Sequence, residues 1–239
     1  MANPKLFRVI DHAVAEYNMI EPGDRILIGA SGGKDSTALV EYFGSRLVRL
    51  ARHGGPRFEV AAFHVATDIG SPLVAELAAR FRAWGVPLYT ITISVLDRLK
   101  PGRTMNCWWC STQRRTELNE FAIREGFNKI ALGHHLDDIL ETLLMNALVK
   151  GELATMPPRL KYEKYPVTII RPLCLADIPM IVRHATEHEY ISSTCTCSYQ
   201  ENSGRKEARN KLASLTGGSY EEKCRLFEAL RNRKADYLP

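Results

Sequence analysis

The chain carries the segment RILIGASGGKDS at residues 25–36. Its apolar first half predicts a β-strand, and its second half predicts a glycine-rich loop that leads into a helix. Gly32 and Gly33 allow a ligand to approach the backbone closely, the first N–H groups of a helix attract an anion, and Lys34 adds positive charge. The segment therefore predicts a phosphate-binding loop at the end of a strand.

The loop differs from the Walker A pattern G-x-x-x-x-G-K-[ST], because Ile28 occupies the first glycine position and Asp35 follows the lysine. The pattern S-G-G-x-D-S resembles the PP-loop of the ATP pyrophosphatases, which split ATP into AMP and pyrophosphate and adenylate a carbonyl-type oxygen. The resemblance implies that the whole loop binds ATP: Ser31, Gly32, Gly33, Lys34, Asp35 and Ser36. The alternative is a strand-to-helix turn that binds no ligand.

The composition is that of an ordinary soluble globular protein, with 239 residues, 45% of them hydrophobic and 25% charged. No apolar run approaches the roughly 18 residues needed to cross a bilayer, and the N-terminus lacks the apolar core of a signal peptide. We therefore expect a cytoplasmic protein with no membrane partner, in which the six cysteines are thiols or metal ligands. The net charge of +5 permits a polyanionic partner without requiring one.

Strands alternating with helices predict an α/β fold with a doubly wound, mostly parallel, Rossmann-like sheet. Strands are predicted at 25–30, 58–66, 88–94, 129–133 and 167–170, and helices at 5–18, 35–52, 71–84, 117–125, 137–150 and 176–188. Ligands bind such sheets at the carboxyl ends of the strands, so the loop and residues 133–138 are expected to meet. Residues 1–200 are expected to form the domain, with 201–239 as a basic helical extension packed on it.

The segment Cys107-Trp108-Trp109-Cys110 offers two thiols that one turn can bring to a single metal centre or to a redox pair. Cys195 and Cys197 supply a third and a fourth candidate. Three thiolates suit a [4Fe–4S] cluster with one iron free of protein ligands, whereas four suit a closed zinc site. The spacing leaves both metals open, and unliganded thiols as well. Cys174 and Cys224 lie in apolar or helical contexts that predict packing roles.

These motifs together resemble the TtcA/TtuA family of tRNA 2-thiolation enzymes, and most closely its 2-thiocytidine branch. The resemblance covers nearly the whole chain. Its motifs are the PP-loop, Cys107-x-x-Cys110 followed by two arginines, GHHLDDIL at 133–140, MPP at 156–158, RPL at 171–173 and a late cysteine. It implies ATP and Mg²⁺ as cofactors, and a [4Fe–4S] cluster held by Cys107, Cys110 and Cys195, with Cys197 as the alternative third ligand.

The resemblance also implies a reaction, in which ATP adenylates a tRNA pyrimidine, cytidine 32, and a sulfide then displaces AMP. Lys34 would stabilise charge on the pyrophosphate, and Asp35 would bind or orient magnesium. Asp138 or Asp137 would contact the base, the ribose or magnesium. His64 would flank the adenine, and Gly133 would let the nucleotide approach the fourth strand. A cysteine desulfurase or free sulfide would supply the sulfur, and a homodimer is left open.

Plainer roles compete with these assignments. Asp138 is also suited to cap a helix, and His64 is equally suited to the core. Arg114 and Arg115 follow the cysteines at a helix start, where they would contact phosphate or solvent. Two other classes of function also remain: a PP-loop enzyme acting on a small molecule, and a zinc-stapled module that binds nucleotide and RNA without catalysis.

Overall fold

A computed structural model describes residues 4–55, 57–70, 73–190 and 203–237. In this part of the chain, six strands form one sheet in the order β3-β2-β1-β4-β6-β5. Only β5 runs antiparallel to its neighbour. The strands are β1 (Arg25–Gly29), β2 (Glu59–Thr67), β3 (Leu88–Ile93), β4 (Lys129–Ala131), β5 (Arg159–Lys161) and β6 (Thr168–Ile170). The predicted doubly wound, mostly parallel sheet is confirmed.

The six predicted helices are present, with one large difference in their bounds, and the predicted helical extension contains two further helices. They are α1 (Lys5–Glu16), α2 (Lys34–His53), α3 (Ala75–Ala83), α4 (Cys107–Arg124), α5 (Leu136–Met145), α6 (Ile178–Glu187), α7 (Ser203–Thr216) and α8 (Tyr220–Ala229), with a π-helical turn at Asn146–Lys150 after α5. The prediction for α4 began at residue 117 and was wrong by ten residues. The helix starts at Cys107 because the Asn106 side chain accepts a hydrogen bond from the Trp109 N–H and caps it.

The strand β1 is buried on both faces, as expected for the middle of a parallel sheet. Ile26 and Ile28 belong to one hydrophobic cluster, whereas Leu27 belongs to another on the opposite face. The first cluster also takes residues from α1, α2, α5, α6, α7 and α8. The sheet therefore lies between two layers, as the alternation of strands and helices predicts.

Among the described helices, only α4 contributes to the second cluster. Leu118, Phe121 and Ala122 of α4 lie against the sheet, and the Phe121 ring stacks on Phe63 of β2 with 4.2 Å between ring centroids. The helix that carries the cysteine pair thus also covers one face of the sheet. Its position relative to β1 and β2 is fixed by apolar packing.

The edge strand β5 was not predicted. Its three residues, Arg159–Lys161, are all exposed and are too few to show a periodic pattern of apolar and polar residues. Pairing with β6 creates the strand, and pairing between distant segments leaves no local trace in the sequence.

The helices α7 and α8 pack on α5 and contribute Leu212 and Phe227 to the first hydrophobic cluster. The basic side chains Arg205, Arg209 and Lys223 form ion pairs with acidic residues of α5. The division of the chain at residue 200 stays a prediction. None of the described helices is both long and apolar enough to cross a bilayer.

Candidate active site

The PP-loop leaves the start of α2 open to a ligand. Gly32 has φ +87°, a left-handed conformation that favours glycine. Gly33 is the N-cap residue of α2 and has no side chain, so no side-chain hydrogen bond occupies the first N–H groups of the helix. The Ser36 hydroxyl donates to the Gly33 carbonyl at 3.0 Å and lies 3.1 Å from the Ser31 hydroxyl. The loop is held by its own serines, and no capping side chain covers the first backbone donors of α2.

Lys34 and Asp35 form an ion pair beside this helix start. The Lys34 Nζ lies 3.0 Å from each carboxylate oxygen. Only Oδ2 receives a well-oriented hydrogen bond, and Oδ1 is buried with no hydrogen-bond partner among the described residues. A carboxylate oxygen that has an ion-pair contact but no hydrogen bond, at an anion-binding helix start, is suited to a cation that accompanies the anion.

Gly133 brings the end of β4 against the start of α2. A Cβ atom at this position would lie 3.2 Å from the Asp35 carbonyl carbon and 3.2 Å from the Ser36 nitrogen. The absence of a side chain at Gly133 therefore allows the backbone to pack closely against the first turn of α2. The predicted approach of a nucleotide to β4 stays a prediction.

His64 lies under the loop at the end of β2. Its Nδ1 is 2.7 Å from the Ala30 carbonyl oxygen, so Nδ1 carries the proton and donates. Its Nε2 is buried without a hydrogen-bond partner among the described residues. Burial lowers the pKa of His64, and the nearby charge of Arg114 lowers it further. A neutral imidazole with a buried free acceptor is suited to an amino group such as that of adenine.

The start of α5 is closed by its own side chains. His135 Nδ1 accepts from the Asp138 N–H at 3.3 Å, and Asp138 Oδ2 accepts from the His135 N–H at 3.3 Å, which forms a capping box. Asp137 is buried, accepts from the Ile178 N–H at 2.9 Å and pairs with Lys223 at 2.8 Å. Asp138 therefore has the capping role that competed with a catalytic one, and its contact with substrate stays a prediction.

The cysteine pair occupies the first turn of α4. Trp109 fixes this turn to the loop after β3, because its indole N–H donates to the Val95 carbonyl at 3.0 Å. Cys110 is half-buried and packs against the second hydrophobic cluster, whereas Trp108 is 73% exposed. Both thiols thus lie at the same end of a rigid helix. The predicted third ligands, Cys195 and Cys197, lie outside the described residues.

The remaining two cysteines have packing roles. Cys174 is completely buried in the first hydrophobic cluster, and burial raises the pKa of its thiol to about 12. Cys224 is half-buried on α8, where burial also raises its pKa. Neither environment favours a thiolate, so the prediction that they are not ligands agrees with their surroundings.

One cleft joins the PP-loop to α4. A cavity of about 190 Å³ is lined by residues of β1 and the loop on one side and by α4 on the other. Ser31 lies on its wall, and so do Ser111 and Arg114, which directly follow the cysteine turn. The sequence placed the PP-loop and residues 133–138 at the carboxyl ends of strands but gave no such position for the cysteine turn, and the structure brings the end of the cysteine turn to the opening beside the PP-loop.

Two basic residues at this edge were assigned no role from the sequence. Arg171 directly follows β6, is 7% exposed and donates from Nη1 to the Pro157 carbonyl at 2.5 Å. Arg205, from α7, pairs with Asp138 at 3.3 Å.

Burial lowers the pKa of His134 to about 4, and Arg171, Arg205 and Arg115 lower it further, against an opposing effect of Asp138. The RPL motif at 171–173 was a signal for Arg171 in the sequence. It could not show that Arg171 and Arg205 both lie near His134, because that depends on tertiary packing.

Comparison with known proteins identifies the class. The chain matches the PP-loop domain family over residues 3–213. It also has the fold of the U34-tRNA thiolase NcsA from Methanococcus maripaludis, with a TM-score of 0.74 at 22% identity over 96% of this chain and 80% of that one. NMN synthetase from Francisella tularensis shares the fold more distantly, with a TM-score of 0.54 at 15% identity over 100% of this chain and 99% of that one. The loop and sheet are those of a PP-loop protein.

Sequence relatives narrow the class. The tRNA-cytidine(32) 2-sulfurtransferase of Anaeromyxobacter sp. (strain Fw109-5) is 38% identical over 232 residues, which cover 95% of this chain and 75% of that relative. The enzyme of the same description from Legionella pneumophila (strain Paris) is 33% identical over 98% of this chain and 83% of its own. The chain belongs to this family of PP-loop tRNA sulfurtransferases, which confirms the resemblance found in the sequence.

Proposed function

We propose that the chain is an ATP-dependent tRNA sulfurtransferase that replaces the O2 oxygen of cytidine 32 with sulfur. The observation that carries the proposal is the shared cleft, in which Ser31 of the PP-loop and Ser111 and Arg114 beside the cysteine turn line one cavity. A reaction that activates an oxygen at one site and delivers sulfur from another requires the two sites to open on the same space.

The first step is adenylation. The cytosine O2 attacks the α-phosphorus of ATP, an oxygen–phosphorus bond forms, and the bond to the β-phosphate breaks to release pyrophosphate. The N–H groups at the start of α2 and the Lys34 ammonium would bind the charge that develops on the departing group. The second step forms a carbon–sulfur bond at C2 and breaks the carbon–oxygen bond, which releases AMP.

Asp35 fits a magnesium role. Its buried Oδ1 has no hydrogen-bond partner among the described residues, and hard carboxylate oxygens are ligands that Mg²⁺ prefers. Magnesium at this carboxylate would neutralise charge on the phosphates of ATP. Lys34, 3.0 Å from the same carboxylate, holds the side chain in place beside the loop.

The cysteine turn fits an iron–sulfur cluster in the chemistry of its donors, because soft thiolate ligands favour iron–sulfur centres. Cys107 and Cys110 would hold the cluster from the first turn of α4, with Cys195 or Cys197 as the third ligand. When bound through three cysteines, the cluster would supply the sulfur nucleophile for the second step. Asn106 and Trp109 fix the turn so that both thiols stay beside the cleft.

The remaining parts of the proposal concern the partners. The sulfur comes from a cysteine desulfurase or from free sulfide, the protein acts in the cytoplasm, and a homodimer is compatible with the proposal. The substrate is tRNA, in keeping with the name of the sequence relatives.

Mass spectrometry of tRNA nucleosides from a strain lacking this chain tests the proposal. We expect 2-thiocytidine to disappear and to return when the wild-type chain is supplied. A variant with Cys107→Ser and Cys110→Ser should fail to restore it, whereas Cys224→Ser, a matched change far from the turn, should succeed. An unchanged nucleoside profile would contradict the proposal and favour a small-molecule substrate.

A further inference from the structure

Arg171 is a buried cation that the interior of the protein does not neutralise. It is 7% exposed and has no carboxylate within ion-pair distance in the described part of the chain. Its Nη1 donates to the Pro157 carbonyl, while its Nε is buried without a hydrogen-bond partner there. Burying a guanidinium without an anion is costly, so a buried arginine of this kind indicates a missing negative partner.

Other positive charges surround the same spot. Burial lowers the pKa of Arg171 to about 10, and the neighbouring charge of Arg115 adds to this effect. Arg115 is exposed, lines the cleft and has no ion-pair partner among the described residues. Arg205 has one, Asp138, at 3.3 Å. Of these three guanidinium groups, only that of Arg205 has an ion-pair partner among the described residues, and all three act electrostatically on His134.

His134 lies among these arginines and adds no charge. Its pKa of about 4 keeps the imidazole neutral near pH 7, since burial and the arginines both disfavour protonation. Its Nδ1 is buried without a hydrogen-bond partner among the described residues. The group beside it in a complex therefore needs negative charge for the arginines and a hydroxyl or similar group for the imidazole. A nucleotide of an RNA strand carries both.

We propose that Arg115, Arg171 and Arg205 form a binding site for a phosphodiester of the RNA substrate, with His134 beside the adjoining ribose. The inference rests on the proposed function, which requires two anionic substrates. The backbone N–H groups of α2 and Lys34 provide for the phosphates of ATP. The arginines belong to other elements, α4, α7 and the end of β6, and so provide for the second anion.

The arrangement also explains how the site is entered. Arg115 is exposed, Arg205 is half-buried and Arg171 is buried, so positive charge leads from the surface inward. Arg115 and the PP-loop residue Ser31 line one cavity. An RNA phosphate held here would place the neighbouring base at the cleft where adenylation is proposed.

The test measures binding of an unmodified tRNA by the full-length chain over a series of salt concentrations. Arg115→Gln is the main variant, because the Arg115 guanidinium makes no described hydrogen bond and its loss should leave the fold intact. We expect the affinity for tRNA to fall about tenfold and the slope of log K against log salt to decrease by about 0.7, the value for one phosphate contact to a single strand. Binding of ATP and of pyrophosphate should not change.

Two further variants complete the experiment. Arg171→Lys keeps the charge but loses the planar fork of donors, and it should weaken tRNA binding while the salt slope stays near that of the wild type. Arg225→Gln is the control, since among the described residues this exposed arginine of α8 pairs with Glu221 alone; it should change neither quantity. Circular dichroism of each variant separates loss of binding from loss of fold.

The outcomes separate the inference from the function on which it depends. If Arg115→Gln weakens pyrophosphate or ATP binding and leaves the tRNA salt slope unchanged, the arginines serve the nucleotide and the inference is wrong. The inference is also wrong if a folded Arg115→Gln binds tRNA like the wild type while the wild type still produces 2-thiocytidine. If the wild type neither binds tRNA nor produces 2-thiocytidine, it is the proposed function that fails.

Discussion

Two helices start side by side at the carboxyl edge of the sheet. They differ in which groups accept hydrogen bonds from their first backbone N–H groups. The helix α2 follows β1 and begins after Gly33, with no side chain over its first N–H groups. The helix α5 follows the adjacent β4 and begins after His135, whose capping box with Asp138 satisfies two backbone donors. Behind that box, Asp137 pairs with Lys223 of α8.

The comparison shows how equal positions in a fold acquire different roles. Both starts have the same backbone dipole and lie at a strand end where ligands bind parallel sheets. At α2, glycine leaves this positive end free for an external anion. At α5, the protein supplies its own anions and joins the helix to the C-terminal part of the chain. A ligand site arises at the helix start that has no capping side chain, because its first backbone N–H groups remain available to an anion.

The largest effect is expected at the closed start. Lys223→Met should leave Asp137 charged and buried without its partner and lower the free energy of unfolding by about 4 kcal/mol. For a chain of this size the melting temperature should fall by about 10 °C. Lys211→Met, which removes an exposed pair with Glu207, should change the free energy by less than about 1 kcal/mol. Equal melting temperatures for the two variants would show that the α5 start is not held in this way.

The open start can be closed by substitution. Gly33→Asp places a capping carboxylate at α2. The backbone accepts it, since φ is −80° and, within the described part of the chain, a Cβ would meet only the Ser31 hydroxyl, at 3.6 Å. We expect ATP affinity to fall about a hundredfold, or about 3 kcal/mol, with no loss of thermal stability. Titration calorimetry with ATP measures this, and Gly33→Ala controls for the added carbon. Undiminished ATP binding by Gly33→Asp would refute the role of the open helix start.

His134, at the boundary between the two starts, should make stability depend on pH. Its folded pKa of about 4 lies below the value of 6.5 for an unperturbed histidine. The stabilisation is therefore complete above pH 6.5 and is lost as the pH falls toward 4, because the unfolded chain takes up the proton first. Between pH 7 and pH 5 we expect a loss of about 2 kcal/mol. Denaturant unfolding should show a shallower loss in His134→Gln, and identical pH profiles would disprove the assignment.

A smaller effect is expected where the two starts touch. Gly133→Ala adds a carbon 3.2 Å from backbone atoms of Asp35 and Ser36, so the first turn of α2 must shift by a few tenths of an ångström. We expect ATP affinity to fall about tenfold with little change in melting temperature. Gly204→Ala is the control, because among the residues that the structure describes its added carbon would meet only the flexible end of Met145, at 3.9 Å. Equal ATP binding by the two variants would show that the close packing of Gly133 against the start of α2 does not matter for ATP affinity.

The sequence predicted the open start better than the closed one. A strand, two glycines and a lysine form a local pattern, and β1, the loop and α2 appear within one residue of their predicted bounds. The family, the parallel sheet and the meeting of the loop with residues 133–138 were also predicted correctly. The pairing of Asp137 with Lys223 joins residues 86 positions apart, and no pattern in the sequence indicates it.

The remaining differences have similar physical causes. The predicted helix started at residue 117 and left out the cysteine turn, because the tryptophans and polar residues there show no amphipathic period, although Asn106 before Cys107 is a capping signal. Arg171 is buried, and its Nη1 donates to the carbonyl of Pro157, which lies 14 positions earlier in the chain. Charge in a sequence does not reveal burial, and burial is what gives this arginine its chemistry.

The helix α4 has a mechanical consequence for the cysteines. Its 18 residues form a rod about 27 Å long, with the thiols at one end and Phe121, stacked on Phe63, near the other. Tilting the end of α4 that carries the thiols would separate these aromatic rings from each other and expose apolar surface. The free-energy cost would be about 2 kcal/mol for each large side chain. The orientation of the cysteines is thus maintained by the packing of Phe121 several turns away. Weakening that packing should displace the thiols, although Phe121 lies far from them along the helix.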